Sequence, residues 1–224
     1  MPSMREKARA ERRAQILDAA ALIVSEKGYF GFGIQELAKR CGLTKAGLLH
    51  HFPSKEALVI AMLRDRDERD KAAVATTLGF SETEQAKPPT LSMVINTFLA
   101  IIERNLQQPN LVRLFAVVRA EALNPEHPAH LHMAGRDAAI LDLFRDMLNP
   151  HTDHALSVAR QIQATIHGLE LQWLQEKHAF NLLEECEEQL QRILHKPSPP
   201  DNRQVTSRSS KGTSRPRRAA AQAK

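Results

Sequence analysis

Residues 44–58, TKAGLLHHFPSKEAL, restrict the fold of this chain more than any other stretch. Thr44 and Ser54 are residue types that cap helix N-termini, and Pro53 stops a preceding helix from continuing. The stretch therefore predicts a short helix, a corner at Pro53 and the start of a second helix. Lys45 and Lys55 stand on either side of the corner, an arrangement suited to a phosphate backbone.

Two more short helices are predicted upstream of this corner. Residues 15–27 end at Gly28 and residues 34–41 end at Gly42, and glycine is the usual residue just after a helix. Three short helices in this order are typical of a helix-turn-helix arrangement. Their predicted core is apolar: Ile16, Ala20, Ile23, Val24, Phe30, Ile34, Leu37, Ala38, Leu43, Leu48 and Phe52.

The remainder of the chain is also predicted to be helical, because apolar residues recur at three- and four-residue spacing and no alternating strand pattern occurs. A helix from Ser54 becomes strongly charged at residues 64–71. It is predicted to connect the N-terminal three-helix unit, called the head, to the remaining helices, called the body. A loop is expected at residues 77–89, where two prolines are adjacent. Further helices are predicted at residues 91–108, 111–123, 129–148, 155–174 and 181–195.

The charge is distributed unevenly along the sequence. Residues 1–71 hold 14 Lys and Arg against 10 Asp and Glu, residues 72–195 hold 9 against 15, and residues 196–224 hold 8 against 1. Basic ends attract nucleic acid and an acidic middle is repelled by it. The pattern favours a DNA-facing head and a separate body, although a solvated charge pattern without a partner is the alternative.

Composition changes sharply after residue 195, where Pro, Ser, Arg, Lys and Ala dominate. Such a segment has little apolar surface to bury and is predicted to be disordered. Two interpretations stay open: a solubilising extension, or a flexible arm that binds phosphates without sequence specificity. The predicted organisation is thus all-α, with a helix-turn-helix head (1–53), a helical body (54–195) and a disordered basic tail (196–224).

Several other classes of protein are not favoured. No apolar run approaches the ~18 residues that a membrane span needs, and residues 1–13 lack the apolar stretch of a secretory signal, so a cytoplasmic protein without a membrane partner is expected. No nucleophile motif or phosphate-binding glycine loop occurs, so no enzyme is predicted. The ten histidines form no recognised ligand motif, and neither a metal nor a cofactor is expected.

The motifs of the first 58 residues together resemble the TetR family of transcriptional regulators. The matching segments are residues 13–20 (RAQILDAA), 26–28 (EKG), 37–38 (LA), 41–45 (CGLTK) and 51–58 (HFPSKEAL). They occur in the family's spacing and order within residues 13–58, a span of roughly a fifth of the chain. The resemblance implies a homodimer whose last two helices pair, whose heads bind a double-stranded DNA operator, and whose body holds a small-molecule effector that releases the operator.

The resemblance also assigns DNA-binding roles to residues of the head. Carried over by position, Lys45, Ala46, Gly47 and His50 face base edges, Gln35 reaches the groove from the preceding helix, and His51 and Lys55 contact phosphates. Thr44 and Leu49 complete the predicted DNA-binding set. Two residues depart from the family pattern: Leu49 stands where a tyrosine is usual, and Gly33 stands where a serine or threonine usually caps the second helix.

The body offers candidates for an effector site and for dimerisation. An apolar pocket is predicted, which favours a hydrophobic or aromatic effector, and His167 is either a hydrogen-bonded core residue or a polar anchor in that pocket. The apolar stripes of the last two helices are either core or, in part, a four-helix interface with a second subunit. The predicted pocket walls are Phe98, Ile102, Phe115, Leu141, Phe144 and Ile166.

The sequence thus predicts a ligand-responsive transcriptional regulator that acts as a repressor. A second function remains possible on the basis of the tail. In that alternative the chain is a non-specific architectural DNA-binding protein that relies on the basic residues of 203–218 and uses the head only as a scaffold.

Overall fold

A computed structural model describes residues 3–78 and 88–195 of the protein, and the all-α prediction is confirmed. The described part contains nine helices and no strand. Their bounds are α1 (Met4–Gly31), α2 (Ile34–Arg40), α3 (Lys45–His51), α4 (Lys55–Leu78), α5 (Leu91–Leu106), α6 (Pro109–Glu121), α7 (His130–Leu148), α8 (Ala155–Gln175) and α9 (Leu182–Leu194).

The corner at residues 44–58 has the predicted local structure. The Thr44 hydroxyl accepts a hydrogen bond from the Gly47 N–H (3.0 Å), and the Ser54 hydroxyl accepts one from the Ala57 N–H (3.1 Å). Each side chain satisfies a backbone N–H that the first turn of a helix leaves unpaired. At Gly33, which caps α2, no side-chain bond replaces the usual serine or threonine.

Helix α1 begins earlier than the apolar stripe predicts. Ser3 and Glu6 form a complete capping box, since the Ser3 N–H donates to Glu6 Oε2 (2.6 Å) and the Glu6 N–H donates to Ser3 Oγ (3.3 Å). The predicted start at residue 15 is therefore wrong by about three turns. The stripe begins where burial begins, at Ile16, and the preceding turns are solvated helix.

The first hydrophobic core joins the head to part of the body. It includes the buried residues of α1, α2, α3 and the start of α4, and continues into α6 and the start of α7 through Leu114, Phe115, Val118 and Met133. The division between head and body at residue 53 stays a prediction, because these elements share one core.

One residue that the sequence predicts to lie in the core of the head is exposed instead, so this prediction is wrong. Phe30 is 66% exposed, whereas Tyr29 and Phe32 are buried. The reason is local: Gly28 has φ 70° and ψ 177°, so the helix breaks there and residues 29–31 form a separate turn. That turn directs Tyr29 inward and Phe30 outward.

The second core lies among α5, α7, α8 and α9. The apolar stripes of the last two helices are buried within the chain, which confirms their interpretation as core. Pairing with a second subunit stays a prediction. The buried members are Ala155, Ala159, Ile162, Ile166 and Trp173 in α8 and Leu182, Cys186 and Leu190 in α9. The predicted disordered tail at 196–224 and most of the predicted loop at 77–89 lie outside the described residues.

A carboxylate clasp connects the break in α1 to the end of α6. Glu121 Oε2 accepts a hydrogen bond from the Tyr29 N–H (2.8 Å), and a Cβ at Gly28 would lie 2.2 Å from Glu121 Oε1. The buried ring of His127 has Nε2 at 3.7 Å from the same carboxylate. Its Nδ1 accepts from the Ala129 N–H (3.1 Å), so the ring proton is on Nε2. Burial lowers the pKa of His127, against the opposing effect of Glu121.

Substitution of Gly28 tests this clasp. Gly28→Ala places a side chain in a backbone region that is essentially restricted to glycine and also displaces Glu121, so we expect a loss of about 3 kcal/mol in the free energy of unfolding. Gly42→Ala is the matched control, because Gly42 also has a positive φ (65°) but nothing within 4 Å of its Cβ position. It should cost about 1 kcal/mol. Equal losses in urea denaturation would contradict a specific clasp at Gly28.

Candidate nucleic-acid interface

Helix α3 presents one side to solvent and is anchored by the other. Leu48 is fully buried beneath the helix, whereas Lys45, Ala46 and His50 are exposed. Leu49 and Gly47 are half-buried. The helix is therefore a fixed surface element whose outer side is free to contact a large partner.

Gln35 is exposed in the first turn of α2. Its neighbour Leu37 is buried in the head core, and the helix ends where the Leu43 N–H donates to the Ala38 carbonyl (2.8 Å). The short turn at Gly42, with φ 65°, then leads into the cap of α3. The predicted base-facing residues thus lie on two adjacent helices of one rigid unit.

Two arginines of α1 hold α2 and α3 in place. Arg12 donates from Nη2 to the Cys41 carbonyl (2.8 Å), and Arg13 donates from Nη1 to the His51 carbonyl (3.2 Å). The Arg13 guanidinium also lies 4.2 Å from the centroid of the Phe52 ring. Sequence reasoning missed these contacts, although the density of arginines in residues 5–13 was an available signal.

The electrostatic setting of His51 is unusual for a surface histidine. Partial burial, together with the positive charges of His50, Arg9, Arg12 and Arg13, lowers its pKa. At neutral pH the ring is therefore neutral. It can meet a phosphate as a hydrogen-bond donor but does not add a positive charge.

Lys55 stands at the first residue of α4, next to the Ser54 cap. Its ammonium lies 4.4 Å from the centroid of the Tyr29 ring and 5.3 Å from that of Phe32. A cation over aromatic faces is held in place more firmly than a free lysine. The Tyr29 hydroxyl in turn donates to Glu56 Oε1 (2.8 Å). Lys55 is thus a positioned cation at a helix end that already favours anions.

The residues predicted to line an effector pocket are divided between two cores. Phe98, Ile102, Phe144 and Ile166 are buried in the second core, where the Phe98 and Phe144 rings pack edge to face at 4.6 Å, and Leu141 packs against it. Phe115 belongs to the first core instead, with the Arg136 guanidinium 3.9 Å from its ring centroid. The six residues are therefore divided between the two cores, and the pocket that they were predicted to line stays a prediction.

A polar group borders this second core. His167 makes no hydrogen bond among the described residues, and burial, with Arg119 nearby, lowers its pKa to about 4. Three residues farther along α8, Glu170 accepts a hydrogen bond from Asn105 Nδ2 (2.6 Å). Burial raises the pKa of Glu170 despite that bond. No hydrogen bond within the described residues supports the interpretation of His167 as a hydrogen-bonded core residue, and its interpretation as a polar anchor in a pocket stays a prediction.

Ion pairs connect α4 to the helices of the body. Asp67 Oδ1 accepts from Arg136 Nε (2.7 Å), and its Oδ2 lies 2.9 Å from His132 Nε2. Burial acts against the charged form of Asp67, but these two partners lower its pKa overall. Asp70 accepts from Arg104 Nη2 (2.6 Å). The helix that leads out of the head is therefore tied to α5 and α7 by paired, half-buried charges.

Comparison with known proteins agrees with the geometry of the head. Residues 16–62 match the family profile described as "Bacterial regulatory proteins, tetR family". The matched segment contains the whole corner, α2 and α3, and the adjoining parts of α1 and α4. Residues 16–62 of the chain are thus similar to the TetR family.

TetR-family relatives match mainly over the head. The HTH-type transcriptional repressor Rv1474c of Mycobacterium tuberculosis is 39% identical over 79 residues, 35% of this chain and 42% of the relative. The HTH-type transcriptional activator FasR of Mycolicibacterium smegmatis is 31% identical over 104 residues, 46% of each chain. The chain thus spans less than half the length of these curated relatives.

A likeness of fold to solved structures extends to the body. A solved TetR-family regulator from Rhodococcus sp. superposes with a TM-score of 0.63 over 83% of this chain and 99% of its own, at 19% identity. This likeness concerns the fold. Within residues 3–78 and 88–195, no helix combines the length and apolar character that crossing a bilayer requires.

The setting of His167 predicts a pH dependence. An unfolded histidine has a pKa near 6.5, whereas that of His167 is about 4, so the unfolded chain binds a proton between these values and the folded chain does not. Stability is then lost as the pH falls from about 6.5 to 4, by up to about 3 kcal/mol. His167→Gln should flatten this part of the profile in urea denaturation from pH 4 to 8. If the slope of the free energy of unfolding against pH is the same in both proteins, the pKa of His167 is not lowered by folding.

Proposed function

We propose that the protein is a DNA-binding transcriptional regulator that binds a double-stranded operator. The observation that carries this proposal is the exposed outer side of α3, a capped helix anchored by Leu48 and braced by Arg12 and Arg13. Recognition helices of helix-turn-helix proteins read the major groove from such a position. The TetR-family match over residues 16–62 supports the same function.

The head residues divide into two roles. Gln35, Lys45, Ala46, Gly47 and His50 read base edges: glutamine can pair with adenine, lysine with guanine, and Ala46 can contact a thymine methyl group. His51 and Lys55 contact phosphates, the first as a neutral donor and the second as a held cation. Thr44 acts through its helix cap.

The functional unit we propose is a homodimer formed through the last two helices. Part of α8 supports this, because Ala164, Gly168 and Leu171 lie at three- and four-residue spacing and are all exposed. Small residues allow a second helix to approach closely, and Leu171 adds apolar area. A two-fold dimer reads a palindromic operator, so half-sites should be separated by about one helical turn of DNA or a multiple of it.

Regulation by a small molecule is part of the proposal. An effector with an apolar body and at least one polar group fits the border between the second core and the His167–Glu170 pair. We propose repression that the effector relieves. Among the relatives one is named a repressor and another an activator, so the direction of regulation is decided only by measurement.

The proposed function is tested by a gel shift on DNA from upstream of the gene for this chain. We expect sequence-selective binding with a palindromic footprint. A version that lacks residues 197–224 should keep its selectivity with a modest loss of affinity. If the deletion abolishes all DNA binding, or if random duplexes are retained equally, the architectural alternative is correct.

The effector is tested in the same gel shift with a panel of aromatic and aliphatic carboxylic acids and their neutral amides. A compound that releases the operator from the protein but not from His167→Gln would support the proposed site. Release that is identical in both proteins would place the effector elsewhere.

Two lysine variants separate base contacts from phosphate contacts. Lys55→Ala should weaken binding to every duplex and lower the slope of log affinity against log salt by about one unit. Lys45→Ala should change the preferred base at one position of each half-site. Lys71→Ala, an exposed cation of α4 whose side chain pairs with Glu68, is the control and should do neither. If the two lysine variants behave alike, the division into two roles is wrong.

A further inference from the structure

The first three turns of α1 carry an arginine face that the predicted DNA-binding set does not include. Arg5, Arg9 and Arg12 follow one another at four- and three-residue spacing, and the next residue in that series is Ile16. Residues at this spacing share one side of a helix. Because Ile16 is fully buried in the first core, the arginine face continues the side of α1 that packs into the head.

The structure places this face directly beside α3. Arg9 and Arg13 line an open cleft of about 310 Å³ whose other wall includes His51, at the end of α3. Arg12 donates to the Cys41 carbonyl at the end of α2, and Arg13 donates to the His51 carbonyl at the end of α3, so these contacts hold α1 against both helices. The arginine face therefore has a defined position relative to the helix that is proposed to enter the groove.

Its positive charge is not neutralised within the described part of the chain. Arg5, Arg9, Arg12 and Arg13 form no ion pair there, and Arg5 and Arg9 make no hydrogen bond either. The carboxylate of Glu6 lies at the cleft but is engaged by the Ser3 cap. By contrast, the aspartates of α4, Asp65, Asp67 and Asp70, are paired with arginines. Unpaired guanidinium groups beside a surface helix favour an anion, and planar guanidinium matches phosphate oxygens well.

We propose that the face formed by Arg5, Arg9, Arg12 and Arg13 is a second phosphate-binding surface, which contacts the DNA strand that borders the groove occupied by α3. The overhang from Met4 to Ile16 is about 18 Å long, at 1.5 Å per residue, which is longer than the ~12 Å width of the major groove. The arginine face can therefore lie along one phosphate backbone of the DNA while α3 lies in the groove between the two backbones. This inference rests on the proposed function and adds contacts that carry no sequence information.

Arg9→Gln is the test, with Lys7→Gln as its matched control. Both residues are exposed, both changes remove one positive charge from the same turns of α1, and neither residue forms an ion pair among the described residues. Lys7 lies on the opposite side of the helix, two residues from both Arg5 and Arg9. A purely general effect of net charge would change both variants alike.

Arg9→Gln should lower the slope of log affinity against log salt by about 0.9 and weaken binding about eightfold at 0.1 M salt. The loss should be the same on operator and random duplexes, and Arg5→Gln should add a similar loss. Lys7→Gln should keep the wild-type slope, and all variants should keep the wild-type Tm.

Equal slopes for Arg9→Gln and Lys7→Gln would overturn the inference. Failure of the proposed function has a different signature: the wild-type protein would then bind operator and random duplexes equally. In that case the comparison of Arg9→Gln with Lys7→Gln still shows whether the arginine face binds phosphate, because phosphate contact is measurable on any duplex. A wild-type chain that binds no duplex would overturn both.

Discussion

The packing of α1 against both halves of the molecule is the constraint on which the rest of the structure depends. One end of this helix is covered by α2, α3 and α4, and the other contacts α6. The break at Gly28 lets the chain leave the helix while Glu121 caps the freed Tyr29 N–H. A displacement of the end of α6 would therefore act on α1 directly, without passing through a flexible linker.

A second connection between head and body is electrostatic. Charges at 64–71 look like a solvated connector in sequence, but Asp67 and Asp70 pair with Arg136 and Arg104 of the body. Half-buried pairs of this kind are costly to separate, because the charge that loses its partner stays partly buried with neither full hydration nor an opposite charge to stabilise it. Helix α4 is thus held at the body as well as at the head.

The head and the body differ in how their charged side chains are paired. In the body, arginines and carboxylates neutralise each other, as at Arg119 and Asp137. At the outer surface of the head, the arginines of α1 and Lys45 of α3 lack carboxylate partners in the described part of the chain, and Lys55 lies over aromatic rings. Folding alone gains little from such cations, so their arrangement is better explained by an anionic partner than by stability.

Sequence alone determined the helical class, the corner at Pro53 and the exposure of Lys45 and His50, because caps, helix-ending glycines and apolar spacing act within a few residues. It determined most helix ends in the body to within two residues for the same reason. Tertiary structure alone decided the contacts between distant segments. It placed Phe115 in the first core and brought the arginines of α1 beside His51. These outcomes depend on how whole helices pack against each other, and local spacing carries no information about which face meets which neighbour.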